Sequence, residues 1–257
     1  MGDHVLIIGG TLLDTKGMPD AGLAPGTSNP GRIRYSRGGT ARNVAENLAR
    51  LGTNVLLITA VGNDPTGHKL LSQTADSGVN LEHALIIDNA NTGAYLALLD
   101  GDGALAVALD DCSVMRNITP AYLHNRRRLF RDADMIMMDG SLTPPTIKTI
   151  VRLATQYKVP LCADPSSSRL AQRLRPYIPD LHLVVPNEVE QAELLEVDYP
   201  GYNPEASRTL SRRLVNMGVD HVVVSLSDYG LDYATIDEVG YIPPSYSKMV
   251  DATGTGD

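Results

Sequence analysis

The residues of this 257-residue chain that could do chemistry are mostly carboxylates, amides and glycines, gathered in a few short clusters. The last cluster is Asp251-Ala252-Thr253-Gly254-Thr255-Gly256-Asp257. Its glycines let successive backbone N–H groups turn toward one point without Cβ clashes. Ahead of a helix such a run is an anion cradle, because unpaired N–H groups and the helix dipole both favour negative charge. An acid directly behind it, here Asp257, can act on a hydroxyl held beside a bound phosphate. Taken alone, the run is more simply a Gly-rich turn.

The second cluster is Gly38-Gly39 with Asn43. Paired glycines allow a ligand close to the backbone, and the Asn43 amide can both donate to and accept from vicinal hydroxyls. A tight strand–helix turn with a surface Asn explains the same residues. The third is Asn187 with Glu190. Their helix-turn spacing lets both face one point, as water-mediated ligands of a Mg²⁺–phosphate would require. An N-cap with a first-turn acid has that spacing too. Asp14, Asp139 and Asp164 are isolated acids that fall just past apolar runs.

Those runs are the elements that must position the clusters. His4 to Ile8 reads as a buried strand ending in Gly9-Gly10, and Lys16 to Gly31 as loop. Arg32 to Ser36 alternates like a strand; Thr40 is a plausible N-cap for a helix carrying Ala41, Val44, Ala45 and Leu48. Asn54 to Val61 reads as one strand, followed by a helix from Pro65 to about Ser77. Gly93 to Leu99 and Ala104 to Leu109 flank Asp100-Gly101-Asp102-Gly103, a hairpin signal, and predict an antiparallel lid whose apolar residues could form a homodimer contact. From Met135 onward, strands at 135–138, 159–163, 181–185 and 221–225 alternate with helices opened by Pro144, near Leu170, near Glu190 and at Pro204. This alternation predicts an α/β fold with a mostly parallel sheet and helices on both faces. In such sheets ligands collect at the carboxyl ends of the strands, where Asp14, Asp139, Asp164 and Asn187 all fall.

Composition narrows the function. A net charge of −8 argues against non-specific nucleic-acid or membrane-surface binding. No apolar run approaches the ~20 residues of a membrane span. Cys112 and Cys162 fit no zinc or CxxC spacing, and the histidines form no ligand pair, so a reduced, cytoplasmic setting is expected. Gly9-Gly10-Thr11 does not extend to the dinucleotide pattern GxGxxG, and there is no Walker A lysine.

Over essentially its whole length the chain resembles the ribokinase-like (PfkB) carbohydrate kinases. Gly38 to Gly52 is similar to the family's N-terminal signature, Asn187-Glu188-Val189-Glu190 to its NxxE motif, and Asp251 to Asp257 to its DxxGxGD signature. Within the family, Ala41 to Gly52, Ser28 to Gly31, Thr92 to Ala97 and Asp164 to Ser167 resemble the branch acting on pseudouridine.

The resemblance implies a single ribokinase-like three-layer domain over 1–257 with a small β lid, at about 11–37 and 90–112. It implies ATP-dependent phosphorylation of the pseudouridine 5′-hydroxyl. Asp14, Gly38, Gly39, Asn43 and Asp139 would bind the ribose; Asn187, Ser225, Ser227 and Gly230 would meet the nucleotide. Glu190 would hold Mg²⁺ through water, and Asp251 and Thr253 match positions near a monovalent-cation site, often K⁺. Gly254, Thr255 and Gly256 would form the anion hole and Asp257 the base. Ser227 stands where the family usually has glycine, and relatives continue past Asp257 into a helix and adenine-contacting segments. The chain as it stands is therefore expected to bind better than it catalyses. Another nucleoside or sugar kinase of the family, or a non-catalytic nucleoside-binding protein, is the alternative.

Overall fold

The protein is described here by a computed structural model covering residues 3–199, 201 and 203–244. The expectations for Asp251 to Asp257 lie outside the described residues. In chain order the first half carries β1 (His4–Ile8), β2 (Leu12–Pro19), β3 (Gly31–Gly38), α1 (Thr40–Arg50), β4 (Val55–Ile58), β5 (Ala60–Gly62), α2 (Pro65–Ala75), β6 (Leu85–Ile87), β7 (Ala94–Leu99) and β8 (Leu105–Asp111). The second carries α3 (Pro120–Asn125), α4 (Arg127–Arg131), β9 (Ala133–Asp139), α5 (Pro144–Tyr157), β10 (Leu161–Asp164), α6 (Ser168–Leu174), β11 (Leu183–Val184), α7 (Glu188–Leu194), α8 (Pro204–Asn216), β12 (His221–Ser225), β13 (Leu231–Thr235) and β14 (Val239–Ile242).

Eight of these strands form one sheet in the order β14-β13-β12-β11-β10-β9-β1-β4. It is parallel from β12 to β4 and antiparallel through β13 and β14. The parallel strands are continuous apolar runs because both faces are covered. Ile7, Val55, Leu57, Met137 and Cys162 pack toward Ala41 and Ala45 of α1. Their neighbours Leu6, Ile8, Ile136, Met138 and Ala163 pack toward Ile147, Ile150 and Ala154 of α5. Each fully buried Val, Leu, Ile or Met among them contributes about 1.5–3 kcal/mol. α5 shows how sequence sets an element: Pro144 suits the first turn, and the helix stops where Lys158 turns left-handed at φ 56°. Among the described residues no helix is long and apolar enough to cross a membrane.

The lid is a second sheet, in the order β3-β2-β7-β8. It corrects the loop expected over Lys16 to Gly31, since β2 runs on to Pro19, which pairs with Gly31. Only positions 20–30 are loop. Polar Lys16 and flexible Gly17 look loop-like in isolation, and pairing on both edges overrides that propensity. Asn54 to Val61 is likewise not one strand but two. The break falls at Thr59, whose hydroxyl donates to Thr11 Oγ at 3.0 Å. Strands β10 and β11 are shorter than expected, at 161–164 and 183–184.

The sheet contains one acid in an unfavourable place. Asp232 on β13 is fully buried, and among the described residues neither carboxylate oxygen has a hydrogen-bond partner within normal reach, the Ser207 hydroxyl lying nearby. Burial pushes its carboxyl up, with only the Ser207 hydroxyl and Arg208 pulling back. A raised folded value means that the native state loses stability as pH rises from the unfolded value through the folded one. Asp232→Val is therefore expected to stabilise the protein by about 1–3 kcal/mol at pH 8 and by little at pH 4. Thermal unfolding of both proteins across that pH range measures it; equal melting curves at pH 8 would contradict the assignment.

Candidate active site

Asp139 ends β9 and stands at the centre of the sheet's carboxyl edge. Its Oδ2 accepts from the Gly10 N–H at 2.8 Å and the Ala41 N–H at 3.1 Å. Its Oδ1 accepts from the Ser141 N–H at 3.0 Å and from the Ser141 hydroxyl. One buried carboxylate thus ties the turn after β1 to the first turn of α1. Burial pushes the carboxyl up, and the Ser141 hydroxyl and the N–H groups work against it. Four donors occupy the lone-pair directions of the two oxygens, so this side chain is engaged by the protein itself.

The Gly38-Gly39 pair is fixed by close packing on that frame. Gly39 has φ 94°, and a Cβ there would run into the Gly10 carbonyl. A Cβ at Gly38 would overlap the Asp14 carboxylate. Gly39 rather than Thr40 is the N-cap of α1, so Thr40 is already helical; with no side chain to cap, Gly39 offers only its left-handed turn. Asp14 lies within β2 opposite Ser36 and Tyr95, and is 5% exposed. Asn43 sits in the first turn of α1, its N–H donating to the Gly39 carbonyl at 2.9 Å. The structure therefore brings Asp14, Gly38, Gly39 and Asn43 together, with Asp139 beneath them.

Asn187 and Glu190 lie further along the same edge, at the start of α7. They form a reciprocal cap: the Glu190 N–H donates to Asn187 Oδ1, and the Asn187 N–H to Glu190 Oε2, both at 2.9 Å. Asn187 bridges in parallel to Ser225, which begins the turn leading to Gly230. In that turn Leu226 N–H donates to the Gly230 carbonyl at 2.9 Å. Gly230 has φ 91°, and a Cβ would strike the Ile242 carbonyl. Ser227 holds φ 51°, a left-handed conformation that costs a side-chain-bearing residue about 1–2 kcal/mol. Ser227→Gly should remove that strain, and after the entropy cost of glycine raise stability by up to about 1 kcal/mol, read from urea denaturation. A less stable variant would show that the Ser227 side chain earns its place.

From β1 to β11 the sheet takes three strand-to-strand steps, about 14 Å at roughly 4.8 Å each. Asp139 and Asp164 lie in register on the two strands between them. The description "pfkB family carbohydrate kinase" fits residues 3–257. The chain belongs to the pfkB family. It is 33% identical to a pseudouridine kinase of Escherichia coli strain K12 over 256 residues, 99% of this chain and 80% of the relative. It is 28% identical to a guanosine-inosine kinase of Exiguobacterium acetylicum over 257 residues, 99% of this chain and 84% of that one.

Among solved structures, a carbohydrate kinase from Agrobacterium tumefaciens matches with a TM-score of 0.74 and 28% identity, over 91% of this chain and 73% of that one. An Arabidopsis thaliana ribokinase complexed with ribose and ATP has the same fold, with a TM-score of 0.79 at 18% identity over 98% and 80%. The pfkB chain described here is accordingly a phosphotransferase acting on a sugar or nucleoside hydroxyl, built on a ribokinase-like fold.

Sequence reading missed several polar residues that brace this part of the fold. Arg42 and Glu46 are buried at 4% and 5% exposure, although charges in an amphipathic helix normally read as surface. The Arg–Glu spacing of four was the available signal. Ser141 and Asp64 were missed as well. Asp64 caps α2 and accepts from the Thr92 N–H at 2.7 Å and the Thr92 hydroxyl at 2.8 Å, anchoring the approach to β7. Burial would raise its carboxyl, but the Gly67 and Thr92 donors hold it below the ordinary value.

Proposed function

We propose that this pfkB chain transfers the γ-phosphoryl group of ATP to the 5′-hydroxyl of pseudouridine in the cytoplasm. The observation that carries the reading is the cradle of Asp14, Gly38, Gly39 and Asn43, formed where lid strands β2 and β3 meet α1, with the Asn187/Glu190 cap and the Ser225–Gly230 turn at the carboxyl edge of the main sheet. Asp14 would accept hydrogen bonds from ribose hydroxyls and Asn43 would complete the diol contact. The two glycines leave room for the sugar against the backbone. Asp139, its oxygens engaged by Gly10, Ala41 and Ser141, would hold the cradle in place rather than touch the sugar.

Asn187, Ser225, Ser227 and Gly230 would line the nucleotide. Among the described residues no group of three His, Cys, Asp or Glu could cage an ion. An ion carried on phosphates needs only one or two carboxylates, often through water. Glu190, whose Oε2 accepts from the Asn187 N–H, would take that outer role. Mg²⁺ would supply charge stabilisation at the transferred phosphoryl group. Asp251 and Thr253 would flank a monovalent cation such as K⁺, Gly254, Thr255 and Gly256 would form the anion hole, and Asp257 would take the hydroxyl proton.

Side-by-side phosphorylation of pseudouridine, uridine, guanosine, adenosine and ribose tests the substrate. A clear preference for pseudouridine is expected. Preference for another nucleoside or for ribose would reassign the chain within the family, and nucleoside binding with no transfer to any acceptor would make it a binding protein.

The lid supports a homodimer as well. Register places Ile33, Tyr35, Leu96, Leu98, Val107 and Leu109 on its outer face, with Tyr35 and Leu109 each 68% exposed. Ala97 on the inner face is 2% exposed. An outward apolar stripe of this kind calls for a partner, and a second copy presents the same stripe about a two-fold axis. Light scattering should give a dimer for the unmodified protein and a monomer for Leu96→Lys/Leu109→Lys. An unmodified protein that is monomeric at micromolar concentration would end this part of the reading.

A further inference from the structure

Where α7, α8 and β13 meet, three buried side chains carry oxygens without the partners their chemistry demands. Gln191 of α7 is 1% exposed, and Ser207 of α8 and Asp232 of β13 are buried with it. The Gln191 amide is held by its NH₂ end, which donates to the Ser207 carbonyl at 3.2 Å and the Ser211 hydroxyl at 2.7 Å. A carbonyl only accepts, so reversing the amide would set two acceptors against each other. Its Oε1 is therefore the end left over. Among the described residues Gln191 Oε1, Ser207 Oγ and both carboxylate oxygens of Asp232 have no hydrogen-bond partner.

These oxygens share one place. Gln191 and Ser207 line a single cavity of about 10 Å³, with Glu188 beside them. Ser207 joins that cavity to Asp232, because its hydroxyl lies close enough to work against the effect of burial on the Asp232 carboxyl. Three of the four atoms are pure acceptors, and the Ser207 hydroxyl has one proton to give. Negative charge gathers there as well. Arg208, the basic side chain acting on Asp232, spends its Nε on the Pro204 carbonyl at 3.0 Å. Glu188 brings a second carboxylate: burial pushes it up, the Tyr199 hydroxyl works against that, and Asp232 adds to it.

A buried carboxylate is ordinarily paired or bound to a metal. Space of this size holds about one water-sized species. Water would bring two protons and no charge. Mg²⁺ keeps several of its own waters, for which there is no room. One buried carboxylate with neutral amide and hydroxyl oxygens instead matches a single positive charge, on an ion close to water in size. We propose that Asp232, Gln191 and Ser207 form a site for one K⁺ ion, which ties α7, α8 and β13 together. The site is separate from the cation position suggested for Asp251 and Thr253, which lie on none of these elements. It holds whichever nucleoside or sugar the chain phosphorylates.

Thermal unfolding of the full-length, nucleotide-free protein at pH 8, in KCl and in choline chloride at one ionic strength, tests it. Choline is too large for the cavity. At about ten times its dissociation constant K⁺ should raise the melting temperature by about 3–6 °C over choline. The same rise is expected in Asp251→Ala, and none in Asp232→Asn, which keeps the shape and loses the charge. The gain expected from Asp232→Val should be smaller in KCl than in choline chloride, since that variant gives up a stabilising ion. Equal melting of the unmodified protein in the two salts overturns the proposal, as does a rise that survives Asp232→Asn. A rise that vanishes in Asp251→Ala puts the ion at the other position and overturns it likewise. If Asp232→Asn fails to fold, crystals of the unmodified protein grown in RbCl decide. An anomalous peak among Asp232, Gln191 and Ser207 supports the site, and a water or a protein atom in that place overturns it.

Discussion

Asp139→Ala is expected to cost about 3–5 kcal/mol of folding stability, at the upper end of what single substitutions do. The change strands the N–H groups of Gly10, Ala41 and Ser141, which now donate to one carboxylate. Each buried donor left unsatisfied costs about 1–3 kcal/mol. It also empties the space under Gly9, where the carboxylate fills the volume that a Cβ would need. Because the same bonds set the first turn of α1, nucleoside affinity should fall along with the melting temperature. Chemical denaturation and calorimetric binding on one preparation check this. A direct sugar contact would behave differently, with weaker binding at unchanged stability, and that result would return Asp139 to the substrate.

Asp257→Asn is expected to lower kcat by at least about 10²-fold, the lower range for removal of a general base, while largely sparing nucleoside binding. An aspartate near its reference value of ~3.9 is a weak base for an alcohol. In a loose phosphoryl-transfer transition state, however, the proton leaves late, so alignment of the hydroxyl matters more than basicity. Asparagine keeps the size and loses the proton acceptor. Single-turnover phosphoryl transfer, measured beside calorimetric binding of pseudouridine, separates the two effects. Near-normal transfer by the variant would remove Asp257 from the role of base.

Much of the body was legible in the sequence because parallel strands buried on both faces must be continuous apolar runs, and helices between them must show a 3.6-residue period. Ile136 to Met138 and the helix begun by Pro144 are of this kind. The lid was harder. Strand β2 combines Asp14, Lys16 and Gly17, and only its two neighbours make it a strand. The site divides in the same way. That Asp139 ends a strand could be read from local pattern, whereas two of its donors lie 129 and 98 positions away in the chain. Arg42 and Glu46 looked like an ordinary surface pair, since spacing reveals that two charges can meet but not that the lid strand closes over them. The left-handed backbone at Ser227 was hinted at only by the glycine that the family usually has there, because serine is at home in many turns.

The alternation along β2 has a consequence for how such a protein can change. Leu12, Asp14 and Lys16 occupy one side of the ribbon, and Leu13, Thr15 and Gly17 the other. Point substitutions can therefore rewrite the inner surface without disturbing the outer one, and the reverse. A single inserted or deleted residue ahead of Asp14 would exchange the two sets at once, turning the acid outward and an apolar neighbour inward. Variation in this lid is thus free in letter and rigid in length. Homologous chains aligned across positions 12–17 and 31–38 should differ by substitution and keep their gaps in the loop at 20–30.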